Sequence, residues 1–382
     1  MKVAVLGYGT VGAGVYSMLS DAPGMEAGPV LVRPGKAVES FMVSDAALIF
    51  GDPTVDAVVE TLGGLDPAYS YGMRALEAGK HFITANKAMV AAHGLELAAL
   101  AREKGAAFLF SAACGGGVPF LHNLALSAET DRIEAVSGIL NGTTNYMLDA
   151  MQRRSLSYGD ALREAQSLGY AESDPTADVS GLDALRKMQL ACAVAFGVLP
   201  QSGMLCEGME HFTAADVEDI QSRGLVCRLM ASGSRAGESV SAYVEPVLFP
   251  RAAPESSVFT NNNMASYTGK RCGSIVLMGQ GAGRFPTASA VLRDLSAAQQ
   301  GARSMFPENC RAAEADNREA VHSYYIRTGG FAAVRLPLRS VLVQGEVVRA
   351  VTEPMSAEKM HALAQNIRKD GNDLFFAALE EE

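Results

Sequence analysis

The feature that most narrows what this chain can fold into stands at its start. Lys2–Leu6 is a short apolar run rich in β-branched residues, and Gly7-Tyr8-Gly9-Thr10-Val11-Gly12 follows it at once. Val11, Val15, Met18 and Leu19 then recur at helical spacing. The pattern is a strand, a tight turn and a helix. In a G-x-G-x-x-G turn so placed, the first glycine permits the turn and the second lets backbone approach a pyrophosphate. The third lets helix and strand pack closely. The free N–H groups and dipole of the helix N-terminus suit the phosphates. A chain with 38 glycines could carry such a motif by chance. Its position between strand and helix makes it a dinucleotide loop, with Gly7, Gly9, Thr10, Val11 and Gly12 as its contacts.

The alternation continues. Strands are expected near Val30–Val32, Val55–Glu60, His81–Thr84 and Ala107–Ser111, and helices at Ala68–Ala78 and Gly94–Lys104. Strands alternating with helices imply a parallel sheet covered on both faces, so the fold class is α/β with a Rossmann-type N-terminal domain. We place this domain at residues 1–120, completed by about 279–310, where a Gly-rich turn precedes a helix at Thr287–Leu295. After Val118-Pro119 the pattern changes. A helix with Leu121 and Leu124, a strand at Ile133–Leu140, helices at Tyr158–Leu168 and Leu182–Phe196, and strands at Val240–Phe249 and Ser274–Met278 suggest an α+β catalytic and dimerisation domain over 121–278. A small α+β region follows at 318–382. Its expected strands are Ser323–Arg327, Ser340–Gln344, Val347–Thr352 and Leu374–Ala378, and its helix is Ala357–Arg368, with no convincing helix between the first two strands.

Where an NAD-specific loop carries an acidic residue after the second strand, this chain has Arg33, with Lys36 beyond it. An arginine there can meet a 2′-phosphate, so NADP is favoured or tolerated beside NAD. A solvated surface arginine is the alternative.

Composition removes several classes of function. A net charge of −10 argues against a nucleic-acid surface. No apolar run approaches the roughly 20 residues of a membrane helix, and Lys2–Leu6 is too short for a signal-peptide core. The six cysteines form no C-x-x-C pair and no zinc-like cluster with histidine. They read as reduced thiols in a cytoplasmic protein.

Several segments together resemble the homoserine dehydrogenase family. They are the N-terminal loop, Glu60-Thr61-Leu62-Gly63-Gly64, Thr84-Ala85-Asn86-Lys87, Gly115-Gly116-Gly117-Val118-Pro119 and Asn141-Gly142-Thr143-Thr144-Asn145-Tyr146. To these are added Gly169-Tyr170-Ala171-Glu172, Asp174-Pro175, Gly181-Leu182-Asp183-Ala184-Leu185-Arg186-Lys187, Gly281-Ala282-Gly283 and Pro286-Thr287-Ala288-Ser289. Their order and spacing make the match specific as far as about residue 295.

The resemblance implies NAD(P)-dependent hydride transfer between aspartate 4-semialdehyde and L-homoserine, with a homodimer or homotetramer as the assembly. Reduction turns a carbonyl oxygen alkoxide-like, so a proton donor must stand beside it. Lys187 is the candidate donor. Asp183, four residues before it on a helix, faces the same side and can orient it, although an ordinary surface pair has the same spacing. Lys87, at the carboxyl edge of the sheet, can polarise the carbonyl, hold a carboxylate or contact the cofactor. Glu172 and Asp178 can take the substrate ammonium, and Thr143 and Tyr170 the amino-acid portion. Asn141, Gly142 and Thr144 are either site residues or turn formers. Gly283 resembles the family's second glycine contact with the cofactor.

Two departures from the family stand out. Relatives carry a glutamate at a monovalent-cation site, and this chain has Ser111 there. Backbone oxygens of Cys114, Gly116 and Val118 are left to hold an ion more weakly. Many relatives also end in a regulatory ACT module, of which the C-terminal region is an abbreviated or diverged version. Two other functions compete. An aspartate semialdehyde dehydrogenase needs a cysteine nucleophile with a base, and nothing marks Cys114 and His122 as that pair. A non-catalytic nucleotide or amino-acid sensor would have no use for Lys87, Glu172, Asp183 and Lys187 together.

Overall fold

The computed structural model describes residues 1–333, 335–343 and 345–380. The N-terminal unit is a six-stranded parallel sheet. Along the chain run β1 (Lys2–Leu6), α1 (Thr10–Leu19), β2 (Glu26–Leu31), β3 (Met42–Val43), α2 (Ala47–Phe50), β4 (Ala57–Glu60), α3 (Ala68–Glu77), β5 (His81–Thr84), α4 (Lys87–Lys104) and β6 (Phe108–Leu109). The spatial order is β3-β2-β1-β4-β5-β6, with each neighbouring pair parallel. The order reverses between β1 and β4, and ligands of such sheets bind in the crevice beyond the strand ends at that point. Val3–Leu6 and Ala57–Val59 are fully buried, as strands covered on both faces must be.

Two boundaries differ from those read in the sequence. The helix expected from Gly94 begins at Lys87, because the Asn86 side chain accepts from Met89 N (3.1 Å) and caps it seven residues earlier. The last strand stops at Leu109, because the chain then turns through a 3₁₀ segment at Ser111–Ala113.

The second unit contains α5 (Phe120–Thr130), β7 (Ile133–Ile139), α6 (Gly142–Arg154), α7 (Tyr158–Ser167), α8 (Thr176–Val179), α9 (Leu182–Phe196), β8 (Val198–Ser202), β9 (Leu205–Cys206) and α10 (Ala214–Ser222). The antiparallel strands β10 (Leu225–Ala236), β11 (Ser239–Pro250), β12 (Asn262–Gly269) and β13 (Gly273–Gln280) follow. The chain then returns to the first unit through α11 (Arg284–Gln299). An added Cβ at Gly14 of α1 would lie 2.8 Å from the Arg284 carbonyl oxygen, so α1 and α11 pack backbone to backbone. Ser304, beyond α11, bridges to Phe108 of β6.

The longer C-terminal strands do not form a sheet of their own, while the two-residue strands Val321–His322 and Met355–Ser356 pair with each other. After β14 (Arg311–Glu314), which pairs with β8, and β15 (Val321–His322) come β16 (Tyr324–Gly329), α12 (Gly330–Ala333), β17 (Leu338–Val343), β18 (Val347–Thr352), β19 (Met355–Ser356), α13 (Ala357–Lys369) and β20 (Leu374–Leu379). One sheet runs β13-β12-β7-β10-β11-β20-β16-β18-β17, and β20 lies parallel to β11. Tyr324, Ile326, Phe376 and Ala378 share a core with Met230, Val247 and Phe249. The region expected as a separate third module is therefore knitted into the catalytic sheet. Leaving aside the two-residue β19, it runs β-α-β-β-α-β from β16 to β20, and a short helix, Gly330–Ala333, stands between its first two strands where none was expected. The expected strand end at Gln344 lies outside the described residues. Among the described residues, no helix is long and apolar enough to cross a membrane.

Candidate active site

The glycine loop is shaped by what surrounds each glycine. Gly7 has φ +99°, a conformation that side chains disfavour. A Cβ on Gly12 would fall 2.1 Å from the Gly7 carbonyl oxygen, so only glycine lets α1 approach β1. Thr61, just past β4, donates from Oγ1 to the Leu6 carbonyl oxygen (3.0 Å) and closes the two strand ends together. A Cβ on Gly9 would meet nothing within 4 Å, and no side chain caps α1 there. The α1 N-terminus thus presents free N–H donors to open space, which fits a pyrophosphate. Thr10 is exposed and Val11 half-buried at the same turn. Gly283 stands at the N-cap of α11 with φ +124°.

Beyond β4, the buried Glu60 accepts from Leu62 N (2.6 Å), Gly63 N (3.1 Å) and Thr84 Oγ1 (2.5 Å). It thereby fixes the loops at the carboxyl ends of β4 and β5. Asn86 donates to the Gly64 carbonyl oxygen (2.6 Å) and caps α4, whose first residue is Lys87.

Lys87 reaches across to the second unit. Asp183 Oδ1 lies 3.0 Å from Lys87 Nζ, and Asp183 Oδ2 lies 2.7 Å from Lys187 Nζ. One carboxylate therefore bridges two ammonium groups, one from each unit. Lys187 also donates to the Leu140 carbonyl oxygen (2.6 Å), at the end of β7. The Asn141 amide donates to Asp178 Oδ1 (2.7 Å) and Asp183 Oδ2 (2.9 Å), while its oxygen accepts from Thr144 N (2.8 Å). Asn141 is thus both the cap of α6 and the link between the two carboxylates. The sequence offered it as a site residue or a turn former, and it is the cap of α6; its second role depends on α8 and α9 folding back onto α6.

Electrostatics follow from this packing. Burial works to raise the Asp183 carboxyl, but Lys187 and Lys87 overcome it and hold the group well below the usual carboxylate range. Burial works to discharge Lys187, but Asp183 overcomes it and holds the ammonium above its ordinary value. Asp178 is raised, chiefly by burial and further by Asp183, against the Asn141 hydrogen bond. Burial pushes the nearby Cys114 thiol up to about 12, so it is no nucleophile at neutral pH.

The remaining expected residues lie around this cluster to different degrees. Thr143 donates to the Tyr170 carbonyl oxygen (2.6 Å), and the Tyr170 ring packs on Tyr146 (5.1 Å). Glu172 is exposed on the loop before α8, and its carbonyl oxygen accepts from Gln166 Nε2 (3.1 Å). Arg33 and Lys36 are both exposed beyond β2.

The Ser111 side chain faces Asp294 of α11. It donates to Asp294 Oδ1 (2.5 Å), and Ser111 N donates to Oδ2 (2.8 Å). The Val118 carbonyl oxygen already accepts from Phe120 N (2.8 Å). Asp294, fully buried on α11, was missed in the sequence because nothing there marks it as facing Ser111. Burial raises its carboxyl to about 7 against the two Ser111 donors. Its folded value lies above its unfolded one, so the stability it confers is full below about pH 4 and is lost as pH rises through about 7. Asp294→Asn is expected to flatten that slope in urea titrations between these limits. An unchanged slope would contradict the assignment.

Comparison with known proteins identifies the family. Residues 119–296 match the family model described as homoserine dehydrogenase, and residues 7–111 match homoserine dehydrogenase, NAD binding domain. The homoserine dehydrogenase of Synechocystis sp. is 37% identical over 319 residues, covering 77% of this chain and 72% of that relative. That of Corynebacterium glutamicum is 38% identical over 314 residues, covering 77% and 70%. The crystal structure of a homoserine dehydrogenase from Thiobacillus denitrificans superposes with a TM-score of 0.87 at 30% identity, covering 100% of this chain and 98% of that one. With a nucleotide loop at one side of the crevice and a lysine-bridging carboxylate at the other, the chain belongs to the homoserine dehydrogenase family.

Proposed function

We propose that the cluster around Asp183 carries out the family's reaction, the NAD(P)-dependent interconversion of L-aspartate 4-semialdehyde and L-homoserine. The observation that carries this reading is the single carboxylate joining Lys87 of the nucleotide domain to Lys187 of the catalytic domain. The nicotinamide supplies or accepts the hydride when bound. Gly7, Gly9, Thr10, Val11 and Gly12 receive the pyrophosphate, and Gly283 lets backbone pass close to the cofactor. In the reductive direction Lys187 protonates the nascent oxygen, and Asp183 keeps it charged and aimed. Lys87 offsets the second negative oxygen of Asp183 and faces the substrate or the cofactor. Glu172 and Asp178 hold the substrate ammonium, while Thr143 and the Tyr170 backbone shape the pocket for its amino-acid head. The test is formation of reduced nicotinamide from L-homoserine by wild type and by variants at Lys187 and Asp183. Undiminished turnover in both variants would overturn the assignment.

Arg33 beyond β2 supports a reading in which NADP is preferred. A charge-assisted hydrogen bond is worth about 1.5–3 kcal/mol, so Arg33→Ala should weaken NADP by roughly 10–150-fold and leave NAD nearly unchanged. Equal losses for both cofactors would dismiss a 2′-phosphate contact.

Because Ser111 is committed to Asp294, activity should change little when sodium or potassium is replaced by a bulky organic cation at constant ionic strength. Saturable activation by one alkali ion would show that Cys114, Gly116 and Val118 carbonyl oxygens suffice for a site.

The β-α-β-β-α-β order from β16 to β20 supports reading the C-terminal region as a diverged ACT-like module. Its fusion to β11 favours a mainly structural role with weak or absent threonine response. The open face of β13, with Val276 and Met278 exposed, supports assembly as a homodimer or homotetramer. The six free cysteines suit a cytoplasmic setting.

A further inference from the structure

We infer that Asn263, on β12, is a positioning residue for the hydride transfer proposed above, a reading on which this one rests. Its carboxamide stands where the two connections between the units cross. It fastens the Gly281–Gly283 connection once nucleotide and substrate fill the crevice. Asn263 is 1% exposed, and neither its Nδ2 nor its Oδ1 has a hydrogen-bond partner among the described residues. A buried amide without partners is costly, so its presence needs a cause. The resting fold supplies none, because other groups hold the backbone around it. Asn262 pairs with Gln280 of β13, and Asn145 of α6 donates to the carbonyl oxygens of Val258 (3.1 Å), Thr260 (3.0 Å) and Asn262 (3.1 Å).

The side chain lies between the two halves of the candidate site. On one side, a Cβ on Gly281 would fall 2.0 Å from Asn263 Cγ, so only a glycine Cα can lie against the carboxamide. A Cβ on Gly116, in the outgoing connection, would fall 2.4 Å from the Gly281 carbonyl oxygen, and Gly117 N donates to the Gln280 carbonyl oxygen (3.0 Å). The outgoing and returning connections thus cross backbone to backbone, with glycines at the crossing, where a hinge can turn. On the other side, a Cβ on Gly142, the first residue of α6, would lie 3.5 Å from Asn263 Oδ1. The register sets Met264 opposite Ile139, so Asn263 stands at the end of β7, beside the Leu140 whose carbonyl oxygen accepts from Lys187 (2.6 Å).

Matching donors lie just past Gly281. Among the described residues, Ala282 N and Gly283 N donate no hydrogen bond. A small rotation about Gly116 and Gly281 brings one of them to Asn263 Oδ1. That bond fixes Gly283, on the cofactor side, against the strand end that holds Lys187, on the substrate side. A misplacement of about 1 Å can cost roughly 100-fold in rate, so one hydrogen bond at this junction is enough to matter.

The test uses the full chain with NADPH and L-homoserine together, a pair that cannot react because both are already reduced. Hydrogen exchange in the peptide 279–285 should slow when the pair is added to wild type, and Asn263→Ala should lose most of that protection. The variant should lower kcat by about 10-fold or more and keep the dissociation constant of NADPH alone within about twofold. In the free state it should melt close to wild type, because removing an unpaired buried amide offsets the lost packing. A lowered melt with turnover kept would make Asn263 a structural residue and overturn the assignment. So would unslowed exchange in wild type, or equal protection in the variant. The wild-type measurement keeps the assignment open to failure even if Asn263→Ala does not fold. Wild type inactive on L-homoserine would overturn the reading beneath this one as well, so the two failures are told apart.

Discussion

Lys187→Ala is expected to lower kcat by about 10²–10⁴-fold, the usual worth of a positioned general acid, while the dissociation constant for NADP stays within about twofold. The split follows from where the side chain stands. Lys187 projects from α9 in the second unit and, among the described residues, bonds only Asp183 and the Leu140 carbonyl oxygen. The glycine loop and α1 belong to the first unit. Stopped-flow or steady-state rates, paired with a fluorescence titration of NADPH, measure the two quantities separately. Near-normal turnover would remove Lys187 from proton transfer.

A second readout separates chemistry from structure. Asp183 keeps Lys187 protonated against burial. In Asp183→Asn, the main opposition to burial is lost, with Asp178 left as the nearby carboxylate, and the lysine value must fall. The alkaline limb of the reductive pH–rate profile should therefore move to lower pH. A merely structural aspartate would lower activity without moving that limb.

What the sequence disclosed and what it did not divide along a physical line. Gly7, Gly9 and Gly12 were legible because their constraint is local: a turn, an open N-terminus and a close packing contact all lie within six residues. Asp183 and Lys187 were legible for the same reason, being four apart on one helix. The bond from Lys87 to Asp183 was not, since it spans two units and depends on how the sheet edge meets α9. Asp294 opposite Ser111 lies 183 residues away along the chain and was equally invisible. The long strands β10 and β12 escaped as well. Strands covered on both faces, such as Leu225–Ala236 with Cys227–Ala231 all buried, lose the simple alternation that marks a strand half-covered by water. The C-terminal strands were found one by one, yet their joining to β11 is a property of the sheet and of no single segment.

That joining carries the last prediction. Arg327→Met should cost about 3–5 kcal/mol of global stability, the loss typical when one partner of a buried ion pair is removed. Arg327 lies on β16, in the region that the sequence suggested as a separate module. Its Nε is 2.7 Å from Asp216 Oδ1 on α10, and Asp216 is fully buried. Its guanidinium also donates to the His211 carbonyl oxygen (2.8 Å) and pairs with Asp373. Asp216 in turn accepts from Thr213 N (2.9 Å) and Thr213 Oγ1 (2.7 Å), closing the capping box of α10. Without the arginine, that carboxylate would stay in the interior with only neutral donors. Urea denaturation should then show a lower midpoint for the catalytic unit and the C-terminal region alike, in coincident transitions. The exposed pair Arg335–Asp370 is the internal control, and Arg335→Ala should cost less than about 1 kcal/mol. Were Arg327→Met as mild as that control, or were the C-terminal strands to melt in a step of their own, the region would be a docked appendage and not part of the catalytic core.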